Sequence, residues 1–97
     1  MDDEQAEATC DELRKLISLD PGRNDSALNK ARGILSQCPR DANGYIREKA
    51  SEVEHDFQLW FTPRRWKQFG DELSFRARLN GSIEKLSNAL TSLPQEK

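Results

Sequence analysis

The sequence predicts an all-α fold, an antiparallel bundle of three to four helices. The chain has 97 residues, a length typical of one domain, which we place at 1–97. It contains only five glycines and four prolines, and residues with high helix propensity, such as Ala, Leu, Glu, Lys and Arg, are frequent. Apolar residues recur at spacings of three and four along the chain, which is the period of an amphipathic helix.

The first two predicted helices are separated by the segment DPGRND, which begins at Asp20. Pro and Gly interrupt helical structure, and Asn24 or Asp25 can cap the helix that follows. Pro39 ends the second helix, because the residue before a proline is disfavoured in a helix. The apolar faces consist of Ala6, Cys10, Leu13 and Ile17 in the first helix, and of Leu28, Ala31, Leu35 and Cys38 in the second.

The third and fourth helices are predicted to meet at Thr62 and Pro63. Thr is a good N-cap and Pro suits the first helical position, so we expect the fourth helix to begin at Pro63. Asp41 can cap the third helix, whose apolar face contains Ile46, Ala50, Val53, Phe57 and Trp60. The predicted helices are 3–19, 25–38, 42–61 and 63–93.

The fourth predicted helix carries two apolar stripes. One contains Trp66, Phe69, Leu73 and Ala77, and the other contains Phe75, Leu79, Ile83, Leu86, Leu90 and Leu93. Two interpretations explain this pattern. Either the helix breaks, near Gly70 or at Asn80-Gly81, or one long helix is covered on both sides. Asp71 would cap a helix that starts after a break at Gly70.

Residues that could support catalysis or bind a metal form no recognisable pattern. Cys10 and Cys38 lie on apolar helix faces, which favours two small buried side chains over a redox pair. His55 follows Glu52 at the spacing of half a carboxylate di-metal site, but a second half is missing. The glycines are isolated, so no phosphate-binding loop is present. The sequence therefore predicts a protein without enzymatic activity, cofactor or metal.

Charge is distributed unevenly along the chain. The net charge is −2, but residues 1–20 hold seven acidic and two basic side chains, whereas residues 60–79 hold five basic and two acidic ones. An acidic surface speeds association with a basic partner. The first helix therefore offers a candidate acidic contact surface made of Asp2, Asp3, Glu4, Glu7 and Asp11.

The segment WFTPRRWKQFG, residues 60–70, contains both tryptophans and three basic residues; we call it the corner segment. Trp and Arg are enriched at the energetic centres of protein interfaces. Trp60 continues the apolar stripe of the third helix, which indicates a core residue, whereas Trp66 suits core and interface equally. We therefore predict a partner-binding surface made of Arg64, Arg65, Trp66, Lys67 and Phe69.

The basic residues of the corner segment lie at the predicted start of a helix, where positive charge is unfavourable. This placement predicts an acidic group nearby, either from the first helix of the chain or from a partner or phosphate. The function that fits best is a small protein-binding module, such as a regulator, an inhibitor or an adaptor.

Two alternatives remain at this point. A nucleic-acid-associated regulator would use the basic-aromatic segment 64–78, with Trp66 stacking on bases and Arg64, Arg65, Lys67, Arg76 and Arg78 binding phosphates, although the negative net charge argues against it. A homodimer would pair the leucine-rich seam formed by Leu79, Ile83, Leu86 and Leu90. Packing of that seam within its own bundle is the simpler expectation.

The opening segment MDDEQAEATC has neither a positively charged start nor an apolar run, so we expect no signal peptide. No stretch approaches the roughly 20 apolar residues of a membrane span. We therefore expect a cytoplasmic protein that does not enter a membrane.

Overall fold

The computed structural model describes residues 3–39 and 44–91. These residues form four α-helices and one short 3-10 helix, and no strand is present among them. The helices are α1 (Asp3–Ile17), α2 (Asp25–Leu35), α3 (Tyr45–Trp60), the 3-10 helix (Arg65–Phe69) and α4 (Glu72–Thr91). The predicted all-α fold is confirmed.

The four α-helices form a closed ring around one core. Helix α1 packs on α2 and α4, and α3 also packs on α2 and α4. Trp60 stacks on Phe75 near the start of α4, whereas Asp56, one turn earlier in α3, bonds to Ser82 farther along α4. Helices α3 and α4 are therefore antiparallel.

The core is formed by the apolar stripes that the sequence indicates. The leucine-rich seam of α4 lies inside this core, because Leu79, Ile83 and Leu86 are fully buried and Leu90 is 3% exposed. Packing within the bundle, the simpler expectation for this seam, is confirmed. The remaining buried apolar residues with no exposed surface are Ala6, Cys10, Leu13, Ala31, Ile46, Val53, Phe57, Trp60 and Phe75.

The last predicted helix is interrupted at Gly70. This glycine has φ 118°, in the region that favours glycine, and a Cβ there would lie 3.2 Å from Cβ of Ser74. Asp71 then caps α4 by accepting a hydrogen bond from the Ser74 backbone N–H at 2.8 Å. The helix continues through Asn80-Gly81. Of the interpretations left open, the break at Gly70 is the one observed.

The prediction that a helix begins at Thr62-Pro63 is wrong. The Thr62 hydroxyl donates to the carbonyl of Gln58, which closes the end of α3 instead of capping a new helix. Arg64 then adopts a left-handed conformation, with φ 66°, and the 3-10 helix starts at Arg65. A non-glycine residue in this conformation costs about 1 kcal/mol.

The other helix boundaries differ from the predictions by a few residues. Helices α1 and α2 end at Ile17 and Leu35, before the predicted ends at 19 and 38. Helix α3 follows Gly44, whose φ is 71°. The predicted cap Asp41, and residues 92 and 93 of the predicted last helix, lie outside the described residues.

None of the helices within residues 3–39 and 44–91 combines the length and apolar composition that crossing a bilayer requires.

Candidate functional site

The corner segment is largely closed by aromatic packing. Trp60 is fully buried, its ring lies 5.4 Å from that of Phe75, and its Nε1 donates to the carbonyl of Leu19 at 3.3 Å. Trp66 is 8% exposed and packs 5.4 Å from Trp60. Trp60 is therefore the core residue that the sequence predicts. Trp66 also belongs to the core, and little of its indole is left for a partner or a nucleic-acid base.

The remaining members of the predicted partner surface are accessible. Arg64, Arg65 and Lys67 are exposed, and none of them forms an ion pair with a carboxylate among residues 3–39 and 44–91. The acidic group expected beside them is therefore not supplied by the described part of α1. Phe69 is 41% exposed, and the guanidinium carbon of Arg78 lies 4.6 Å from its ring centre.

The predicted stripe of Trp66, Phe69, Leu73 and Ala77 does not form one face, because the break at Gly70 separates its members. Phe69 contacts Phe75 and Arg78. Leu73 is 79% exposed, and it lies roughly 160° around the axis of α4 from Phe75, at about 100° per residue. Phe69 and Leu73 are therefore not parts of one apolar patch.

An open groove of about 620 Å³ lies between α3 and α4, beside the corner segment. We call it the α3–α4 groove. Glu48, Ser51, Glu52, His55 and Asp56 line it from α3, and Arg78, Gly81, Ser82 and Lys85 line it from α4. His55 also borders a smaller depression of about 150 Å³ next to the groove, and Arg65 lines this depression too. Two residues of the predicted partner surface therefore lie next to the groove. Arg65 lines the neighbouring depression together with the groove residue His55, and Phe69 contacts the groove residue Arg78.

Small side chains keep this groove open. A Cβ built on Gly81 would meet no atom within 4 Å, so the space above this glycine is empty. Ser51 and Ser82 are also short. The groove-lining positions of α4 fall on a different side of the helix from the leucine-rich seam, as the helical period requires. The groove is therefore open to solvent on one side, and the packed core lies on the other side of α4.

A buried carboxylate fixes one wall of the groove. Asp56 is 3% exposed; its Oδ1 accepts from Nε of Arg78 at 3.2 Å, and its Oδ2 accepts from the hydroxyl of Ser82 at 2.5 Å. The guanidinium of Arg78 is held between this carboxylate and the ring of Phe69. Arg78 is therefore preorganised while its side chain remains 45% exposed at the groove.

Sequence reasoning missed Asp56, although a signal was present. Asp56 follows Val53 by three residues and precedes Trp60 by four, so it lies on the apolar stripe of α3. A charged residue on a buried stripe needs a partner. Arg78 and Ser82 are four residues apart and share one face of α4, which allows both to reach the same carboxylate.

The two walls of the groove carry opposite charge at their rims. The α3 rim presents the carboxylates of Glu48 and Glu52, and the α4 rim presents the cations of Arg78 and Lys85. Lys49 pairs with Glu52 at 3.5 Å from the α3 side. His55 is exposed, as expected of a surface histidine, and lies on the α3 wall.

The candidate acidic surface on α1 is exposed in its described part. Asp3, Glu4, Glu7 and Asp11 all face solvent, and Asp2 lies outside the described residues. Asp11 is paired with Arg14 at 2.8 Å. Asp3 and Glu7 line a depression of about 260 Å³ together with Ser87 and Thr91 of α4. The role of these carboxylates in partner binding stays a prediction.

The two cysteines are free thiols. Cys10 is fully buried and Cys38 is half-buried, in agreement with their interpretation as small core side chains. Burial raises the pKa of both thiols above the usual cysteine value, and the neighbouring Cys10 raises the pKa of Cys38 further. Among the residues that the structure describes, no group of three or more His, Cys, Asp and Glu side chains could hold a metal ion.

Comparisons with protein-family models, curated proteins and solved structures gave no match for this chain.

Proposed function

We propose that this protein is a non-enzymatic interaction module whose α3–α4 groove binds a polypeptide segment of a protein partner. The observation that carries this proposal is the groove itself, an open cavity of about 620 Å³ with small residues at its floor and charged residues at its rims. An open groove between two helices suits a polypeptide, whereas small-molecule sites enclose most of the ligand surface. Such a module would serve as a regulator, an inhibitor or an adaptor.

The groove is preorganised, which favours binding. The buried Asp56 holds Arg78 and Ser82 in place, and the helices below them share the packed core. A binding surface that is already ordered loses little conformational entropy when a partner docks. The neighbouring residues Arg65 and Phe69 would extend the contact at the corner end of the groove.

The nucleic-acid alternative is less well supported than a protein partner. Its stacking residue, Trp66, is 8% exposed. Arg76, another of its candidate phosphate contacts, is paired with Glu72 at 3.7 Å. The carboxylates of Glu48 and Glu52 at the groove rim would repel a phosphate backbone. A homodimer through the leucine-rich seam is not proposed, because those side chains fill the core of one chain.

The proposal can be tested by site-specific photocrosslinking in extracts of cells that contain the protein. A photoreactive residue at Lys85, on the α4 rim, should capture a partner, whereas one at Lys30, exposed on α2, should not capture the same protein. The substitution Gly81→Leu fills the groove and should reduce capture at least tenfold.

Gly33→Leu is the matched control for Gly81→Leu. Gly33 is also a glycine inside a helix, and a Cβ there also meets no atom within 4 Å, but it lies outside the groove. Capture should survive this control substitution. Equal capture by the wild type and the Gly81→Leu variant would contradict the proposal.

A further inference from the structure

The α3–α4 groove carries information about the chemistry of its occupant, and the inference below rests on the function proposed above. The lining residues extend from Glu48 to Asp56 on α3 and from Arg78 to Lys85 on α4. At 1.5 Å per residue these segments are about 11–12 Å long, or about two helical turns. A third helix laid along the groove would contact each wall over that length.

The opposite charges of the two rims specify the flanks of such a helix. Glu48 and Glu52 on α3 would face one flank of the occupant, and Arg78 and Lys85 on α4 would face the other. Complementarity requires basic residues on the first flank and acidic residues on the second, because like charges brought together at an interface are unfavourable. A helix with a single sign of charge would meet repulsion at one rim.

Arg78, on the α4 rim, offers the best-defined contact for the acidic flank of the occupant. Its Nε is used by Asp56, and its plane is supported by Phe69, which leaves the terminal nitrogens of the guanidinium for a ligand. A planar guanidinium held in this way suits a carboxylate, with which it forms two parallel hydrogen bonds. One turn farther along α4, Gly81 allows the backbone or a small residue of the occupant to approach closely.

We propose that the occupant of the α3–α4 groove is an amphipathic helix of a different protein, with a narrow seam of apolar and small residues, acidic residues on the flank facing α4 and basic residues on the flank facing α3. The described acidic face of α1 in a second copy of this chain does not fit this description, because it offers Asp3, Glu4 and Glu7 beside Ala8 and no large apolar side chain. We assign a carboxylate of the occupant to Arg78.

Three synthetic helical peptides test this assignment. All share one seam of Leu and Ala at helical spacing; the first has Lys on one flank and Glu on the other, the second has Glu on both flanks, and the third has Lys on both. Isothermal titration with the full chain should give an affinity for the first peptide at least tenfold above that for either of the others. Binding of this peptide should be lost in Gly81→Leu and kept in Gly33→Leu.

Two further variants test the role of each charge. Lys85→Glu places a carboxylate beside Arg78 and removes the net positive charge of the α4 rim, so it should reduce the preference for the two-signed peptide over the peptide with Lys on both flanks. Arg78→Lys keeps the charge but removes the planar fork, and should weaken the two-signed peptide about tenfold. Circular dichroism of each variant checks that the bundle is intact.

Several outcomes would overturn the assignment. They are equal binding of the three peptides, binding of none of them, or tighter binding of a one-signed peptide by the wild-type chain. A dimer of the wild-type chain that Gly81→Leu dissociates, measured by sedimentation, would show that a second copy occupies the groove. The photocrosslinking test does not depend on peptide charge. Capture that requires Gly81 but no preference among peptides would therefore leave the proposed function standing and remove only this inference.

Discussion

The corner segment links α3 to α4 and the α3–α4 groove lies between the same two helices, but the two regions are built in opposite ways. At the corner, the ring of Trp60 lies 5.4 Å from the rings of both Trp66 and Phe75, and the space between the chain segments is filled. In the groove, Gly81 and two serines leave the space open, and a buried carboxylate orders the wall. The two tryptophans of the corner segment are thus part of the core, and the proposed binding surface lies where side chains are small.

This difference leads to distinct expectations for mutations in the two regions. Substitutions in the corner and at the buried Asp56 should act on the stability of the fold, whereas substitutions at the exposed or small residues of the groove should change stability little and binding strongly.

The largest effect is expected at Trp60, which is fully buried. Trp60→Ala should lower the free energy of unfolding by about 3–5 kcal/mol, because it leaves a cavity among stacked rings. Urea unfolding followed by circular dichroism measures this loss. Phe69→Ala is the comparison, and it should cost clearly less, since Phe69 is 41% exposed. If Trp60→Ala lowered the free energy of unfolding no more than Phe69→Ala does, the interpretation of the corner segment as part of the packed core would be wrong.

The second-largest loss of stability is expected at Asp56. Its ion pair can be compared with that of Glu54, which has similar geometry but is much more exposed. Asp56 accepts from Nε of Arg78 at 3.2 Å with a side chain 5% exposed, and Glu54 accepts from Nε of Arg32 at 3.1 Å with a side chain 43% exposed. Asp56→Ala should cost about 1–3 kcal/mol because it leaves the hydroxyl of Ser82 and the Nε of Arg78 without an acceptor.

Glu54→Ala serves as the matched control for Asp56→Ala. It should cost less than about 1 kcal/mol, since exposed ion pairs contribute little. Thermal or urea unfolding of both variants gives the comparison. Equal costs would show that the groove wall does not depend on Asp56.

A smaller change, a gain in stability instead of a loss, is expected when either of the two glycines inside helices is replaced by alanine. Gly81→Ala and Gly33→Ala should each raise the free energy of unfolding by about 0.5–1 kcal/mol, because alanine favours a helix over glycine. Neither added Cβ meets an atom within 4 Å. Urea unfolding measures both. A loss of stability in Gly81→Ala would indicate that the groove floor is already filled.

The smallest effect concerns the pH dependence of stability. Burial raises the pKa of Cys10 and Cys38 in the folded chain, so the folded state holds these protons more tightly than the unfolded state does. The resulting stabilisation is present below the usual cysteine pKa and is lost as the pH rises above it. Compared with the wild type, a Cys10→Ala, Cys38→Ala double variant should therefore lose less stability between about pH 8 and pH 10. An unchanged slope in urea unfolding across that range would contradict this expectation.

Much of the fold is predictable from the sequence because helical periodicity is a local property. The stripe that includes Val53 and Phe57 identifies α3, and the stripe that includes Leu79 and Ile83 identifies the buried side of α4. The break at Gly70 was one of the interpretations left open, and the cap at Asp71 supports it. The start of a helix at Pro63 was predicted wrongly, because the Thr62 hydroxyl bonds backward to Gln58.

The candidate site could be predicted only in part, because it depends on contacts between distant residues. Arg78 and Ser82 reach Asp56 across 22 and 26 positions of the chain. Nothing local to these residues shows that the three side chains meet. The left-handed conformation of Arg64 is equally hidden, since most arginines avoid it. The break at Gly70 separates Arg65 and Lys67, which lie in the 3-10 helix, from α4.

The most direct test of the central claim is the yield of partner captured by a photoreactive residue at Lys85 in three versions of the chain. We expect the wild type and Gly33→Leu to capture the same partner with similar yield, and Gly81→Leu to capture at least tenfold less while remaining folded by circular dichroism. Undiminished capture by the folded Gly81→Leu chain would show that the α3–α4 groove is not the binding site.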